Sequence, residues 1–216
     1  MLIPTTETKK LKLAILVSGG GTNLQAILDR IDDGYLSDCE ISVVISNKAS
    51  AHALERAKNR GIPTATVIRK QYQRASDFDN ALAAAVTAHK TDLVVMAGFL
   101  AVVGEDFTKR FEGMMINIHP SLIPAFCGTG FYGLIPHIKA LEYGVKVTGA
   151  TVHFVNAEPD AGPIILQKAV NVQQDDTPEI LQQRVMKEAE WEILPQAIRL
   201  YADKRIKVEG RIVKIT

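Results

Sequence analysis

Between Leu11 and Gly98 the chain alternates short, nearly continuous apolar runs with longer amphipathic ones, and this alternation constrains the fold more than any other feature of the sequence. LKLAILVS runs into glycines and then into a pattern that puts Leu24, Ile27, Leu28 and Ile31 on one helical face. EISVVIS is followed by the helical AHALERAKNRG, closed at Gly61; TATVI is followed by the alanine-rich SDFDNALAAAVTAHK and then by DLVVMAG. Apolar runs of this length without polar alternation suit strands buried on both faces, and the 3.6-residue pattern suits the helices that cover them. Such units cross over right-handed and leave neighbouring strands parallel. The expected class is therefore α/β, a Rossmann-like, mostly parallel twisted sheet with helices on both faces. Ligands then bind at the carboxyl ends of the strands.

Beyond Gly98 the pattern changes. GEDFTKRFEG reads as a short helix, MMINI as a strand, and HPSLIPAFCGTGFYGLIP as a long loop with five Gly or Pro breakers between His119 and Leu134. Loops of that length inside a compact domain are usually functional. HIKALEYG reads as a helix ended by Gly144, and KVTGATVHFV and GPIILQKAVNV as two strands flanking the turn NAEPDA. The longest helix is expected from Thr177, capped by TPEI, to about Lys204, and RIKVEGRIVKI as a closing hairpin around Glu209 and Gly210. With no linker, repeat or low-complexity stretch visible, one domain over residues 1–216 is the expected organisation.

Composition excludes several classes. Basic and acidic residues nearly cancel, 25 against 24, which leaves no electrostatic footprint for sequence-independent nucleic-acid binding or for an anionic membrane surface. Cys39 and Cys127 stand far apart and form no C-x-x-C pair, and no clustered Cys and His suggests a metal site. MLIPTTETKKLK lacks the apolar core of a secretory signal. The expectation is a soluble, cytoplasmic protein without a metal.

Ser18-Gly19-Gly20-Gly21-Thr22-Asn23 follows the first strand and opens a helix, where free N–H groups and the positive end of the helix dipole can receive a phosphate. It is not a dinucleotide fingerprint, because Leu24 stands where the third glycine should be and the second strand ends in Ser46-Asn47-Lys48 rather than an acidic residue. No G-K-[ST] follows, so it is not a P-loop. A mononucleotide or sugar-phosphate site fits best; a plain βα turn capped by Thr22 or Asn23 is the alternative.

Asn117 and His119 lie two apart at the carboxyl end of an apolar strand, so both side chains leave one face while Ile116 and Ile118 leave the other. An imidazole beside a carboxamide can polarise a carbonyl and stabilise the oxyanion formed when an amine attacks it, which suits acyl transfer. Asp160, in the turn between the last two long strands, can raise the pKa of His119 if that turn folds onto the strand ends; as a lone Asp-Ala-Gly-Pro it reads first as turn chemistry. His52 and His89 read as surface helix residues, His153 as a hydrogen-bonded core histidine, and His137 as a cap or support for the long loop. Cys127 would need a nearby base to act as a nucleophile.

INIHPSLIPAF, GATVHFV and DAGPIILQ, together with VSGGGTNLQAIL, ISNKA, MAGFL and EWEILP, closely resemble the phosphoribosylglycinamide formyltransferases, the folate-dependent enzymes of purine synthesis. The resemblance covers nearly the whole chain, with the motifs in the same order and spacing. It implies catalytic roles for Asn117, His119 and Asp160, a ribonucleotide site at Gly21, Thr22, Asn23, Pro120, Lys187 and Glu190, and a folate site at Arg74, Leu100, Ala101, Val102, Val103, Asn117, Asn156, Ala157, Glu158, Pro159 and Asp160. It also implies a ribonucleotide-phosphate half at about 11–110, a folate and catalytic half at about 111–204 and a terminal hairpin at 205–216. The implied substrates are glycinamide ribonucleotide and 10-formyltetrahydrofolate, the latter as cosubstrate, and a homodimer is left open. Three departures stand out: Ala101 where many members carry a basic residue, a longer CGTGFYGL loop, and one extra residue in the last helix before Glu190.

Two related enzyme classes share these motifs. Formyltetrahydrofolate deformylases deliver the formyl group to water and carry an extra N-terminal domain, for which the lead-in leaves no room. Methionyl-tRNA formyltransferases need a C-terminal domain and a basic surface. A folate or nucleotide-binding module without catalysis is the non-enzymatic alternative, and it would need no Asn117 and His119 pair.

Overall fold

The computed structural model describes residues 9–216; most of the lead-in read above for a signal segment lies outside them. Strands β1 (Leu11–Val17), β2 (Cys39–Ser46), β3 (Thr64–Thr66), β4 (Leu93–Met96), β5 (Met115–His119), β6 (Val147–Phe154), β7 (Ile164–Asn171), β8 (Ile206–Glu209) and β9 (Ile212–Ile215) form one sheet in the order β3-β2-β1-β4-β5-β6-β7-β9-β8. Helices α1 (Thr22–Asp32), α2 (His52–Asn59), α3 (Ala75–Ala88), α4 (Glu105–Arg110), α5 (Ile135–Tyr143), α6 (Pro178–Val185) and α7 (Trp191–Ala202) flank it.

The strands from β3 to β5 are all parallel. β6 then runs antiparallel to both β5 and β7; the turn that follows β6 returns the chain directly to β7, whereas β5 reaches β6 through the long loop and α5. The sheet is thus mostly parallel, as expected, with an antiparallel step at β6.

Side chains of β1 divide strictly by parity. Leu13, Ile15 and Val17 pack with α1, α2 and α7 on one face, and Ala14 and Leu16 with α3 and α4 on the other. β4 repeats this with Leu93 and Val95 against Val94 and Met96. All these side chains are buried, and each Leu, Ile, Val or Met among them contributes roughly 1.5–3 kcal/mol relative to exposure. On β5, Ile116 and Ile118 join the first face, so Asn117 and His119 leave from the second, as period-2 geometry requires.

Three local expectations need correction. The TATVI strand is only Thr64–Thr66, an edge strand with a single neighbour. His89 sits just past the end of α3 and is half-buried rather than a surface helix residue. The long last helix is interrupted by a π turn at Met186–Glu190 between α6 and α7. A π turn holds one residue more than an α turn. α7 continues beyond it with Ile193, Leu194, Ala197 and Ile198 in the core.

Candidate active site

A cavity of about 720 Å³ opens along the carboxyl ends of β1, β4 and β5, where the strand order reverses direction about β1. One end is the turn Gly19–Asn23; the other is the group around Asn117, His119 and Asp160. Leu100, Ala101, Val102 and Val103, in the loop after β4, form a largely apolar wall together with Asn156, Ala157 and Pro159. Its size falls within the range of sites for small molecules, roughly 300–1,000 Å³.

The glycine turn is held in place by its neighbours. Ser18 donates to Asn47 Oδ1 at 2.6 Å and accepts from the Leu100 N–H at 2.7 Å, which ties together the loops after β1, β2 and β4. Gly21 caps α1 at φ +73°, and a Cβ there would stand 2.6 Å from the Ala53 Cβ. Glycine is thus demanded twice, by the left-handed conformation and by contact with α2. The first N–H groups of α1 have no carbonyl a turn behind them and face the cavity end.

The catalytic group converges from β5, β6, the turn after β6 and the long loop. Asn117 and His153 are directly paired across β5 and β6. The His153 Nδ1 faces its neighbour's carbonyl, Phe154 O, at 2.8 Å, so Nδ1 carries the proton and Nε2 accepts from Asn117 Nδ2 at 3.2 Å. Asp160, at φ +55° in the turn after β6, places one carboxylate oxygen 3.4 Å from Asn117 Nδ2 and 3.5 Å from His153 Nε2. Its other oxygen lies 3.3 Å from His119 Nδ1 and accepts the Gly128 N–H at 2.9 Å. His119 Nε2 meets the Phe126 carbonyl at 3.0 Å, presented by a residue at φ +49°.

Burial pushes the His119 imidazolium below the ordinary histidine range; Asp160 and the Phe126 carbonyl push it back, but not fully. The expected rise of the His119 pKa is therefore corrected to a net fall, because desolvation outweighs the carboxylate. Burial would likewise raise the Asp160 carboxyl, yet His153, His119 and the Gly128 N–H together hold it below the usual range. A carboxylate that stays ionised thus sits beside an imidazole that rests neutral and has acceptors at both nitrogens. Such an imidazole is ready to become charged during a reaction.

Glu190, inside the π turn, is 6% exposed and accepts from Asn23 Nδ2 at 2.6 Å. Burial pushes its carboxyl up to about 7, with the Asn23 bond opposing. Met186, one turn earlier, accepts from Thr22 Oγ1 at 3.6 Å. The π turn thereby closes over the start of α1.

Most residues singled out from sequence meet in this one cavity: Gly21, Thr22, Asn23, Leu100, Ala101, Val102, Val103, Asn117, His119, Pro120, Asn156, Ala157, Pro159, Asp160 and Glu190 all line it. Three do not. Arg74 caps α3 at the surface with its guanidinium tied to Asp77 at 2.8 and 3.0 Å. Lys187 is exposed on a turn whose inward positions are Met186 and Glu190. Glu158 is exposed at the tip of the turn after β6.

Sequence reading also missed participants. His153, read as a core residue, is buried but bonded into the catalytic group. Its pairing position opposite Asn117 was the available signal. His137 is fully buried in α5, with neither ring nitrogen bonded, and lines the cavity; burial pushes it down to about 4. The long loop contributes Gly128 to Gly133 to the wall, and Gln182 of α6 donates to the Gly133 carbonyl at 3.2 Å. Among the described residues no group of three or more His, Cys, Asp or Glu could hold a metal ion, and no helix is long and apolar enough to cross a membrane.

A Rossmann-like sheet carrying this cluster defines the class: residues 11–198 match the formyl transferase family, and the chain belongs to it. Within that family it is 38% identical over 201 residues to the phosphoribosylglycinamide formyltransferase of Haemophilus influenzae, covering 93% of this chain and 92% of that protein. The crystal structure of glycinamide ribonucleotide transformylase 1 from Symbiobacterium toebii superposes with a TM-score of 0.90 at 44% identity, covering 97% of this chain and 95% of that one. The chain is also 42% identical over 214 residues, 98% of its length, to the trifunctional purine biosynthetic protein adenosine-3 of Bos taurus, of which it spans 20%.

Proposed function

We propose that the protein transfers the formyl group of 10-formyltetrahydrofolate to the primary amine of glycinamide ribonucleotide, giving formylglycinamide ribonucleotide and tetrahydrofolate in purine synthesis. The observation that carries this reading is that an anion-ready glycine turn and the Asn117, His119 and Asp160 group open into the same cavity. The ribonucleotide phosphate would sit on the turn with Glu190 beside its ribose. The folate ring would lie against Leu100 to Val103 and Asn156 to Asp160. Arg74, outside the wall, would meet only the folate tail where it projects beyond it, and Lys187 only the part of the ribonucleotide nearest the π turn.

In this reaction the amine nitrogen bonds to the formyl carbon, the bond from that carbon to the folate nitrogen breaks, and one proton passes from the attacking nitrogen to the leaving one. The formyl oxygen would replace the Phe126 carbonyl at His119 Nε2, so the imidazole donates to the growing oxyanion with Asn117 beside it. Asp160 stabilises the imidazolium as it forms. No step requires a metal, and the reading belongs to the cytoplasm.

The test is to follow tetrahydrofolate release from 10-formyltetrahydrofolate with and without glycinamide ribonucleotide. Amine-dependent release is expected. Amine-independent release would make the protein a deformylase, and no release a binding module.

A further inference from the structure

Two carbonyls of the glycine turn are held from behind, by α2. The Gly19 carbonyl accepts the Ala53 N–H at 3.1 Å, and the Gly20 carbonyl accepts the Arg56 Nε–H at 2.8 Å. In a trans peptide the C=O and the N–H point to opposite sides. Carbonyls turned toward α2 therefore aim the N–H groups of Gly20 and Gly21 away from it, on the side where Gly19, Gly20 and Gly21 line the cavity.

Arg56 is fixed for this task. Its Nη1 donates to Gln25 Oε1 at 2.9 Å, so one guanidinium bridges the turn and the first turn of α1. Its Cδ lies 3.5 Å from where a Gly21 Cβ would be, packed under the turn, and the side chain does not reach the cavity wall. A second feature marks the same end as a ligand site: Asn23, 6% exposed, lines the cavity with its Oδ1 unbonded.

We infer that Arg56 is a positioning residue for phosphate recognition. It holds the Gly20 carbonyl, aims the Gly21 N–H at a phosphomonoester and sets a positive charge behind the turn, without touching the ligand. A planar fork holds two acceptors in one fixed geometry, whereas the donors of an ammonium on a flexible stem have no fixed directions. This inference rests on the reading of the glycine end as the phosphate site of the proposed substrate, and it adds the residue that shapes that site.

Calorimetry on the whole chain, with ribose 5-phosphate as the probe and ribose as its control, tests the inference. Kinetic constants for both substrates and the thermal midpoint are measured alongside. Arg56→Ala is expected to weaken ribose 5-phosphate binding about tenfold, the scale of one charge-assisted hydrogen bond. The KM for the amine rises in step, while kcat and the folate KM stay unchanged. Arg56→Lys keeps the charge but not the bridge and is expected to stay several-fold weak, and it carries the test alone if the alanine variant does not fold. Wild-type affinity in Arg56→Ala overturns the inference; full recovery in Arg56→Lys does so too, since charge alone would then suffice. An equal loss for both substrates also overturns it, by reducing Arg56 to a structural support. Because binding is read without formyl transfer, a wild type that binds ribose 5-phosphate but transfers nothing refutes the reaction and leaves the role of Arg56 standing. A wild type that does not bind the probe refutes the role itself.

Discussion

The two ends of the cavity are built by opposite means. The glycine end is a single βα unit, Ser18 to Asn23, whose recognition elements are backbone N–H groups held by conformation. The catalytic end consists of side chains from β5, β6 and the turn after β6, bonded to one another and to the Phe126 carbonyl and Gly128 N–H of the long loop. Backbone recognition survives most side-chain changes and fails through sterics. A side-chain network fails through the loss of any member, because a buried polar group left without its partner costs roughly 1–3 kcal/mol.

Breaking the catalytic end has the largest expected effect. His119→Ala and Asp160→Asn should each lower kcat by about 10²–10³, the usual scale for a preorganised donor or its charge support, in single-turnover assays that separate chemistry from release. Near-native turnover in both would place the chemistry elsewhere.

At the other end, Gly21→Ala should raise the KM for the phosphorylated amine with kcat nearly intact. It should also cost about 1–3 kcal/mol of stability from the left-handed conformation and the clash with Ala53, read by denaturant unfolding. A fall in kcat with KM unchanged would erase the division between the two ends.

Glu190 belongs to the glycine end but behaves like the catalytic one, since it is a buried carboxyl. Its folded pKa of about 7 lies above the ordinary 4.5, so the folded state holds the proton more tightly. Its contribution to stability is therefore fully present below about 4.5 and is lost as pH rises through about 7. Glu190→Gln removes this dependence. Relative to wild type it should gain stability between those pH values, on the order of 1–3 kcal/mol at pH 8. A constant difference across the range would mean that Glu190 does not titrate there.

The smallest expected effect concerns the member that resembles ordinary core. His153→Leu should lower kcat about tenfold, the cost of one misdirected hydrogen bond, because Asn117 loses the acceptor that orients its amide. His153→Gln, whose carbonyl can accept, should recover part of that loss. On an Asn117→Ala background His153→Leu should change kcat no further; independent effects would show that His153 supports packing only.

The parallel half was legible from the sequence because its evidence is local. Runs such as DLVVMAG report burial on both faces, and parity along MMINI and the His119 that follows it put Asn117 and His119 on one side. The antiparallel step at β6 was not legible, because strand direction depends on how a connection folds rather than on strand composition. Nor was the π turn at Met186–Glu190, because one residue more or fewer in a helical turn leaves no mark in the apolar pattern. Asp160 depended on resemblance, since a lone turn aspartate carries no sign of what it will meet.

By itself the sequence determined a parallel α/β core, a glycine turn at a helix start and a polar pair at a strand end, because propensity, periodicity and backbone sterics act over a few neighbours. Tertiary structure alone decided that Asp160 reaches both His119 and His153, that Glu190 lies beneath Asn23 and that Arg56 grips Gly20 from α2. Each of those contacts joins residues between 7 and 167 positions apart, and only packing fixes the distances on which hydrogen bonds and pKa shifts depend.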